Sequence, residues 1–207
     1  MKELIIIRHG ASEHHVNNII GGWTDLPLTE IGRKQASCVG EHLKNWLQGR
    51  NFGFYTSDLI RAKETAEIAG QALFKTPQAE WELRELNNGV AKGLALADAK
   101  KIRRPVTEPA IDWIPYEHGE SWRMMHNRIV GVMNRISAEN EDLAVLVSHA
   151  NSSICIIHWW LNIVEDHHLT NIMYELDPCS ITHLKLDKFG CRVVAKINDT
   201  SHLRLLL

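Results

Sequence analysis

Two histidines in this sequence each stand just after an apolar run, and imidazole is the side chain best suited to nucleophilic or acid–base work near neutral pH. His9 follows Leu4–Ile7 and one arginine, Arg8, whereas His149 follows Leu143–Val147 and one serine. Such runs are typical of strands buried on both faces of a parallel sheet. The carboxyl ends of parallel neighbours meet at one sheet edge, where open α/β sheets bind ligands. We therefore expect His9 and His149 to share one cleft.

A second cation is predicted for the same edge. Thr56 ends a short predicted strand, and Arg61 falls in the first turn of the helix that follows. Guanidinium groups bind phosphate oxygens bidentately, so Arg8 and Arg61 beside two imidazoles would suit a tetrahedral dianion. The alternative is a polar surface cluster without a ligand. From the strand ends alone, both interpretations stay open.

Hydrophobic periodicity predicts the elements that must position these residues. Strands are predicted over 4–7, 52–56, 79–83, 143–147, 181–186 and 192–197. Helices are predicted after Thr29, Ser57 and Ser121, with each of these residues as the N-cap, and over 152–161. Alternating strands and helices predict an α/β fold, a three-layer sandwich whose mostly parallel central sheet is flanked by helices. Residues 1–207 are interpreted as one domain, with 87–118 as an edge excursion or lid.

Composition and charge narrow the classes of partner. The formal net charge of −2 argues against a broadly basic nucleic-acid-binding surface. No apolar segment is long enough to span a bilayer, and no signal peptide is recognised. The four cysteines are scattered without zinc-ligand spacing, which favours a reducing, cytoplasmic setting. We therefore expect neither a nucleic-acid nor a membrane partner.

A series of short motifs runs in order along the chain. Its segments are Arg8-His9-Gly10, Gly22 through Thr29, Ser57 through Ala62, Leu83-Arg84-Glu85, Gly119-Glu120-Ser121, Val147-Ser148-His149, and Asn198 with His202-Leu203. Each segment alone is weak, whereas the ordered set, which runs nearly from end to end, is specific. In this ordered set the sequence resembles the histidine phosphatase superfamily, in its phosphoglycerate-mutase-like branch.

The resemblance implies a role for five residues. In that family the first histidine is the nucleophile and becomes a phosphohistidine, so the implied nucleophile here is His9. It further implies that Arg8, Arg61 and His149 bind the phosphoryl group and that Glu85 protonates the leaving oxygen. No cofactor and no metal are expected, and the partner is a small-molecule phosphate ester. The acidic residue of the Gly-Glu-Ser segment, Glu120, is expected only to support the start of a helix.

The sequence departs from the family pattern beside this central set. Ala11-Ser12 stands where Glu-Thr or Glu-Ser is usual, and His15 falls where a phosphate-contacting asparagine is usual, with Asn17 two residues later. The candidate secondary substrate contacts are Ser12, His15 and Gly22. Two interpretations of His15 stay open: it binds phosphate in place of asparagine, or it faces water. The pairs His14-His15 and His167-His168 are interpreted as exposed loop residues and not as metal ligands.

Three functions are compatible with the sequence. The favoured one is a metal-independent phosphatase that hydrolyses small phosphate monoesters through a phosphohistidine. The alternatives are a phosphoglycerate-type mutase and a phosphate-ester-binding regulatory protein with little turnover. Trp159 and Trp160 are assigned to the core or to a subunit contact, so a monomer and a homo-oligomer both stay open.

Overall fold

One six-stranded sheet organises the computed structural model, which describes residues 1–139 and 141–206. In sequence order the described strands are β1 (Glu3–Arg8), β2 (Gly53–Thr56), β3 (Gln78–Ala79), β4 (Leu143–Ser148), β5 (Ile181–Leu186) and β6 (Arg192–Asp199). Their spatial order is β3-β2-β4-β1-β5-β6. The pairs β1–β4, β2–β4 and β2–β3 are parallel, whereas β5 runs antiparallel to both β1 and β6. The prediction of a mostly parallel sheet flanked by helices is confirmed.

Helices cover both faces of this sheet. The described α-helices are α1 (Glu13–Val16), α2 (Glu30–Leu47), α3 (Ile60–Leu73), α4 (Leu96–Lys101), α5 (Trp122–Ser137), α6 (Ala150–Leu161) and α7 (Asp166–Asn171). Short 3₁₀ helices occupy Trp81–Leu83, Gly89–Ala91, Ala110–Asp112 and Ser201–Leu206. No helix within the described residues is long and apolar enough to cross a membrane.

The apolar runs of the central strands are unbroken because both of their faces are buried. On β1, Leu4 and Ile6 pack in one core cluster with residues of α5 and α6, while Ile5 and Ile7 pack in another with residues of α2 and α3. Side chains alternate between the faces of a strand, so a strand covered on both faces requires apolar residues at every position. This double burial fixes where β1 and β4 lie and therefore where their last residues emerge.

The predicted helix starts are partly confirmed. Thr29 and Ser121 are N-caps, and each accepts a hydrogen bond from a main-chain N–H of the first turn. The prediction for Ser57 is wrong, because α3 begins at Ile60 with Leu59 as its N-cap residue. The strand predicted over 79–83 is also wrong, since β3 ends at Ala79 and a 3₁₀ helix follows.

The segment 87–118 lies against the loop that follows α1. Main-chain hydrogen bonds join Ile20 N–H to the Leu94 carbonyl (2.8 Å) and Leu96 N–H to the Asn18 carbonyl (3.1 Å). A small apolar cluster built from Ala91, Ala99 and Tyr116, with Ile20 and Leu94 packed on it, holds this contact together. The segment therefore borders the loop that follows the paired histidines of α1.

Candidate active site

The two strand-end histidines meet at the carboxyl edge of the sheet. β1 and β4 are parallel neighbours in a register that places Arg8 opposite Ser148, so the residues that follow them emerge side by side. The ring centroids of His9 and His149 lie 5.0 Å apart. Both side chains are buried, with 2% and 0% of their residue surfaces exposed. The two histidines therefore meet at one sheet edge, as expected.

The His9 ring is held in one orientation by its own main chain. Nδ1 lies 2.8 Å from the Gly10 carbonyl oxygen, and because a carbonyl only accepts, Nδ1 carries the proton. The lone pair of Nε2 then accepts a hydrogen bond from Arg61 Nε at 3.1 Å. Burial, and then the charges of Arg61, His149 and Arg8, hold the pKa of His9 well below its usual value. At neutral pH the ring is therefore uncharged.

Arg61 is a fully buried cation whose three nitrogens all donate. Besides Nε, which donates to His9, Nη1 donates to the Thr24 carbonyl and Nη2 to the Gly22 carbonyl, both at 2.7 Å. The arginine lies in the first turn of α3, where the Ile60 N–H donates to an aspartate carboxylate at 2.7 Å. Burial lowers the pKa of Arg61 to about 10, so the guanidinium stays charged at neutral pH.

His149 is bound by Ser57, a residue whose role the sequence prediction missed. The Ser57 Oγ accepts a hydrogen bond from Leu59 N–H at 3.3 Å and lies 2.9 Å from His149 Nε2. The other imidazole nitrogen, Nδ1, is buried and has no hydrogen-bond partner among the described residues. The signal that could have identified Ser57 is its place just after β2, at the same sheet edge as both histidines.

Arg8 and His15 form a contact that suits an anion. Arg8 Nη1 donates to the Leu176 carbonyl at 2.5 Å, and Nη2 lies 2.8 Å from His15 Nε2. On the other side of the ring, Ser12 N–H points at His15 Nδ1 at 3.2 Å. A neutral imidazole has one acceptor nitrogen, so either tautomer leaves two donors facing each other. An oxyanion beside Arg8 and His15 would accept from both.

His14 is a second imidazole that sequence reasoning assigned to solvent. Its ring centroid lies 3.9 Å from that of His15 and 5.8 Å from that of His9, and its Nδ1 is 2.7 Å from Ser12 Oγ. Burial, and then the neighbouring imidazole and guanidinium charges, lower the pKa of His14 to about 3. Burial, and then the Arg8 and Arg61 charges, lower that of His15 to about 4. The interpretation of this pair as exposed is wrong, because both rings are half-buried in the cleft.

The remaining candidates from the sequence occupy different positions. Ser12 is fully buried under the histidine pair, and the Gly22 carbonyl is bound by Arg61. Asn17, the alternative to His15, lies at the end of α1 and is exposed. His167 and His168, which lie on α7, are also exposed. In the described ranges 1–139 and 141–206, no group of three or more His, Cys, Asp or Glu side chains could hold a metal ion.

Glu85 joins the cleft through main-chain contacts. Its Oε1 accepts from Leu86 N–H at 2.8 Å, and its Oε2 accepts from Asn151 N–H at 3.2 Å, in the first turn of α6. Burial lowers the pKa of Arg8 and Arg61, and the Glu85 charge opposes this in both cases. The five residues of the predicted central set are therefore gathered at one sheet edge.

The chain is similar to known proteins in sequence and in fold. A family model described as Histidine phosphatase superfamily (branch 1) matches residues 4–200. The chain is 32% identical over 161 residues to "Probable phosphoglycerate mutase GpmB" of Proteus mirabilis, which covers 76% of this chain and 74% of that protein. It is 39% identical over 97 residues to phosphoglycerate mutase of Candida albicans, which covers 45% of this chain and 38% of that protein's length. Mycobacterial glucosyl-3-phosphoglycerate phosphatase shares the fold, with a TM-score of 0.80 and 23% identity over 97% of this chain and 100% of that one.

Proposed function

Because the chain belongs to the histidine phosphatase superfamily, branch 1, we propose that it is a metal-independent phosphatase that hydrolyses small phosphate monoesters. The observation that carries the proposal is the geometry of His9. Its Nδ1 proton is committed to the Gly10 carbonyl, and its Nε2 lone pair lies 3.1 Å from a buried guanidinium nitrogen of Arg61. A neutral nucleophile beside fixed cations is the arrangement that attack on a phosphate ester requires.

In the first step, the hydrogen bond from Arg61 Nε to His9 Nε2 opens, and the freed lone pair bonds to phosphorus while the bond to the ester oxygen breaks. Arg61 Nε and the free Arg8 and His149 donors bind the equatorial oxygens, on which negative charge is spread. Glu85, as the protonated acid, gives its proton to the leaving alkoxide, so that an alcohol departs and a carboxylate remains. The products of this step are the alcohol and a phosphohistidine.

In the second step, water returns the enzyme to its starting state. The Glu85 carboxylate takes a proton from water, whose oxygen bonds to phosphorus as the bond to His9 Nε2 breaks. Inorganic phosphate leaves, and the cations that stabilised the first transition state stabilise the second in the same way. Positive charge for both steps comes from side chains, so the scheme uses no divalent ion.

A phosphoglycerate-type mutase is the second candidate, favoured by the 32% identity to the Proteus mirabilis protein. A mutase must keep its phosphohistidine away from water while the product reorients. In this chain the segment bordering the cleft, residues 87–118, contains one α-helix, α4, of 6 residues. It also lacks the long basic insertion expected of the mutases it resembles. We therefore favour transfer to water.

The test is to supply 3-phosphoglycerate and p-nitrophenyl phosphate and to measure inorganic phosphate and 2-phosphoglycerate together, with and without a bisphosphorylated primer. We expect one phosphate released per ester consumed, no need for the primer and little 2-phosphoglycerate. Rapid interconversion of the phosphoglycerates with negligible phosphate release would establish the mutase instead. Measurable ester binding without turnover would establish the regulatory protein.

A further inference from the structure

The segment that carries Glu85 is held by side chains along its main chain. It comprises the end of the 3₁₀ helix Trp81–Leu83 and the two residues beyond it, and every carbonyl from residue 82 to residue 85 accepts a side-chain hydrogen bond. The donors are Arg128 Nη1 to the carbonyls of residues 82 (2.5 Å) and 84 (2.9 Å), Ser148 Oγ to residue 83 (2.8 Å), Ser152 Oγ to residue 84 (2.6 Å), and Trp23 Nε1 (2.6 Å) and Arg128 Nη2 (3.2 Å) to residue 85. Arg128 binds three of these four carbonyls.

Arg128 is itself fixed by a nearly buried ion pair. It lies on α5, and its Nε and Nη2 donate to the two carboxylate oxygens of Glu120 at 3.0 and 2.8 Å. The two side chains are 6% and 12% exposed. Glu120 Oε2 also accepts from Asn87 N–H at 3.0 Å, just beyond Glu85. The ion pair therefore binds the main chain on both sides of Glu85. Glu120 does more than support the start of α5.

The contacts of Glu85 explain why the binding of this main chain by Arg128 and Glu120 matters for catalysis. Its carboxylate accepts from two main-chain N–H groups, those of Leu86 and Asn151. The Leu86 N–H belongs to the same stretch of main chain that Arg128 and Glu120 bind, so the path of this main chain determines the direction of the carboxylate. Proton transfer requires heavy atoms about 2.6–3.2 Å apart, and a misplacement of about 1 Å costs about 10²-fold in rate. The position of the main chain therefore controls the efficiency of the acid.

We infer that Arg128, paired with Glu120, is the positioning residue of the general acid, an inference that rests on the role proposed for Glu85. A buried ion pair is weak support for stability, because the cost of removing two charges from water offsets their attraction. The planar guanidinium of Arg128 is instead suited to holding several carbonyls in fixed relative positions, which a lysine ammonium cannot do.

The test compares Arg128→Lys with wild type on an alkyl ester, glycerol phosphate, and an aryl ester, p-nitrophenyl phosphate. A general acid matters for the alkoxide and little for the acidic phenol. We expect kcat/KM for the alkyl ester to fall about 10²-fold, with kcat/KM for the aryl ester changed less than about threefold. Release of the alcohol is measured, so the result does not depend on whether the phosphoryl group then passes to water. Equal losses on both esters would overturn the inference.

The matched control is Arg135→Lys. Arg135 lies on the same helix and pairs with the side chains of Glu80 and Glu82, but its side chain is 48% exposed and binds no carbonyl of the segment. We expect its alkyl-to-aryl ratio to match that of wild type. A selective alkyl loss in this control would show that any arginine-to-lysine change on α5 has the effect, and would overturn the specific role of Arg128.

Two further variants separate this inference from the proposed function. Glu85→Gln should itself lose kcat/KM selectively for the alkyl ester. Equal losses on the alkyl and aryl esters in this variant would refute the assignment of Glu85 as the acid, and not the contacts of Arg128 with the main chain. In the double variant Glu85→Gln/Arg128→Lys, the alkyl-selective losses should not multiply, because Arg128 acts through Glu85. Multiplying losses would overturn the inference. If Arg128→Lys does not fold, Glu120→Gln, which keeps the shape of the partner, replaces it; an unchanged ratio in the folded Glu120→Gln protein would also overturn it.

Discussion

Replacing Arg61 with lysine tests how much the buried guanidinium contributes to stability and to turnover. The arginine donates through all three nitrogens, to His9 and to the carbonyls of Gly22 and Thr24. A lysine ammonium keeps the charge but is a single point, and we expect it to satisfy one of the three acceptors. Two contacts to a charged group are then lost in a site where the arginine is 1% exposed, so water does not replace them.

The magnitude follows from those two contacts. Hydrogen bonds to charged groups contribute about 1.5–3 kcal/mol each, so the free energy of unfolding should fall by about 3–6 kcal/mol. That is a large share of the roughly 5–15 kcal/mol typical of a folded domain. Turnover of p-nitrophenyl phosphate should fall by about 10²–10³-fold, the usual cost of removing one donor to a developing oxyanion.

Urea unfolding followed by tryptophan fluorescence measures the first quantity, and Arg84→Lys provides the control. Arg84 also lies near the cleft and also makes two contacts, of 2.7 and 2.6 Å, to the carboxylate of Asp58. Its side chain is 29% exposed, so its replacement should cost about 1 kcal/mol or less. If Arg61→Lys were no less stable than Arg84→Lys, the claim that burial makes the Arg61 contacts valuable would be refuted.

Three further predictions concern the nucleophile, the pH response and metals. His9→Ala should abolish turnover and the base-stable, acid-labile phosphoryl label while circular dichroism stays unchanged; normal turnover would exclude the phosphohistidine. The His15 pKa of about 4 means that the unfolded chain binds a proton below about pH 6.5 that the folded chain refuses, so stability should fall as pH drops from 6.5 towards 4. Urea midpoints of His15→Asn should fall less over that range, and an identical pH dependence would contradict this. Exhaustive chelation should leave activity unchanged, since Arg8 and Arg61 supply the positive charge; recovery only on adding magnesium or zinc would contradict it.

The placement of His9 and His149 could be predicted from sequence because it depends on a strong local signal. Unbroken apolar runs such as Leu4–Ile7 identify strands covered on both faces, and adjacent parallel strands end at one edge. Arg61 could be placed because α3 begins at Ile60, a short loop after β2 ends at Thr56. These predictions needed only the type and end of each element, which periodicity determines well.

The residues that support the site could not be predicted in the same way. Serine is a residue type that commonly caps helices, and the Ser57 hydroxyl does accept a hydrogen bond from a main-chain N–H. The same hydroxyl also contacts His149, which is 92 positions away in the sequence. The contacts of Arg128 with the main chain of the Glu85 segment span 43 to 46 positions. Local periodicity carries no information about such pairs. They follow from how α5 and the loops pack, which only the tertiary structure shows.

The burial of His14 and His15 connects substrate binding to the role proposed for His9. Burial, and then neighbouring charges that include those of Arg8 and Arg61, lowers the pKa of all three imidazoles, so the two guanidinium charges oppose their protonation. A bound phosphate dianion reverses that effect for the imidazoles beside it, because it neutralises the guanidinium charges and accepts from the donors that face each other at Arg8 and His15. His9 is affected differently, since its Nε2 lone pair is then directed at phosphorus and is no longer free to bind a proton. Under the proposed function, Arg8 and Arg61 therefore bind the substrate, while burial and these two charges keep His9 neutral before binding and make the unliganded site sensitive to acid.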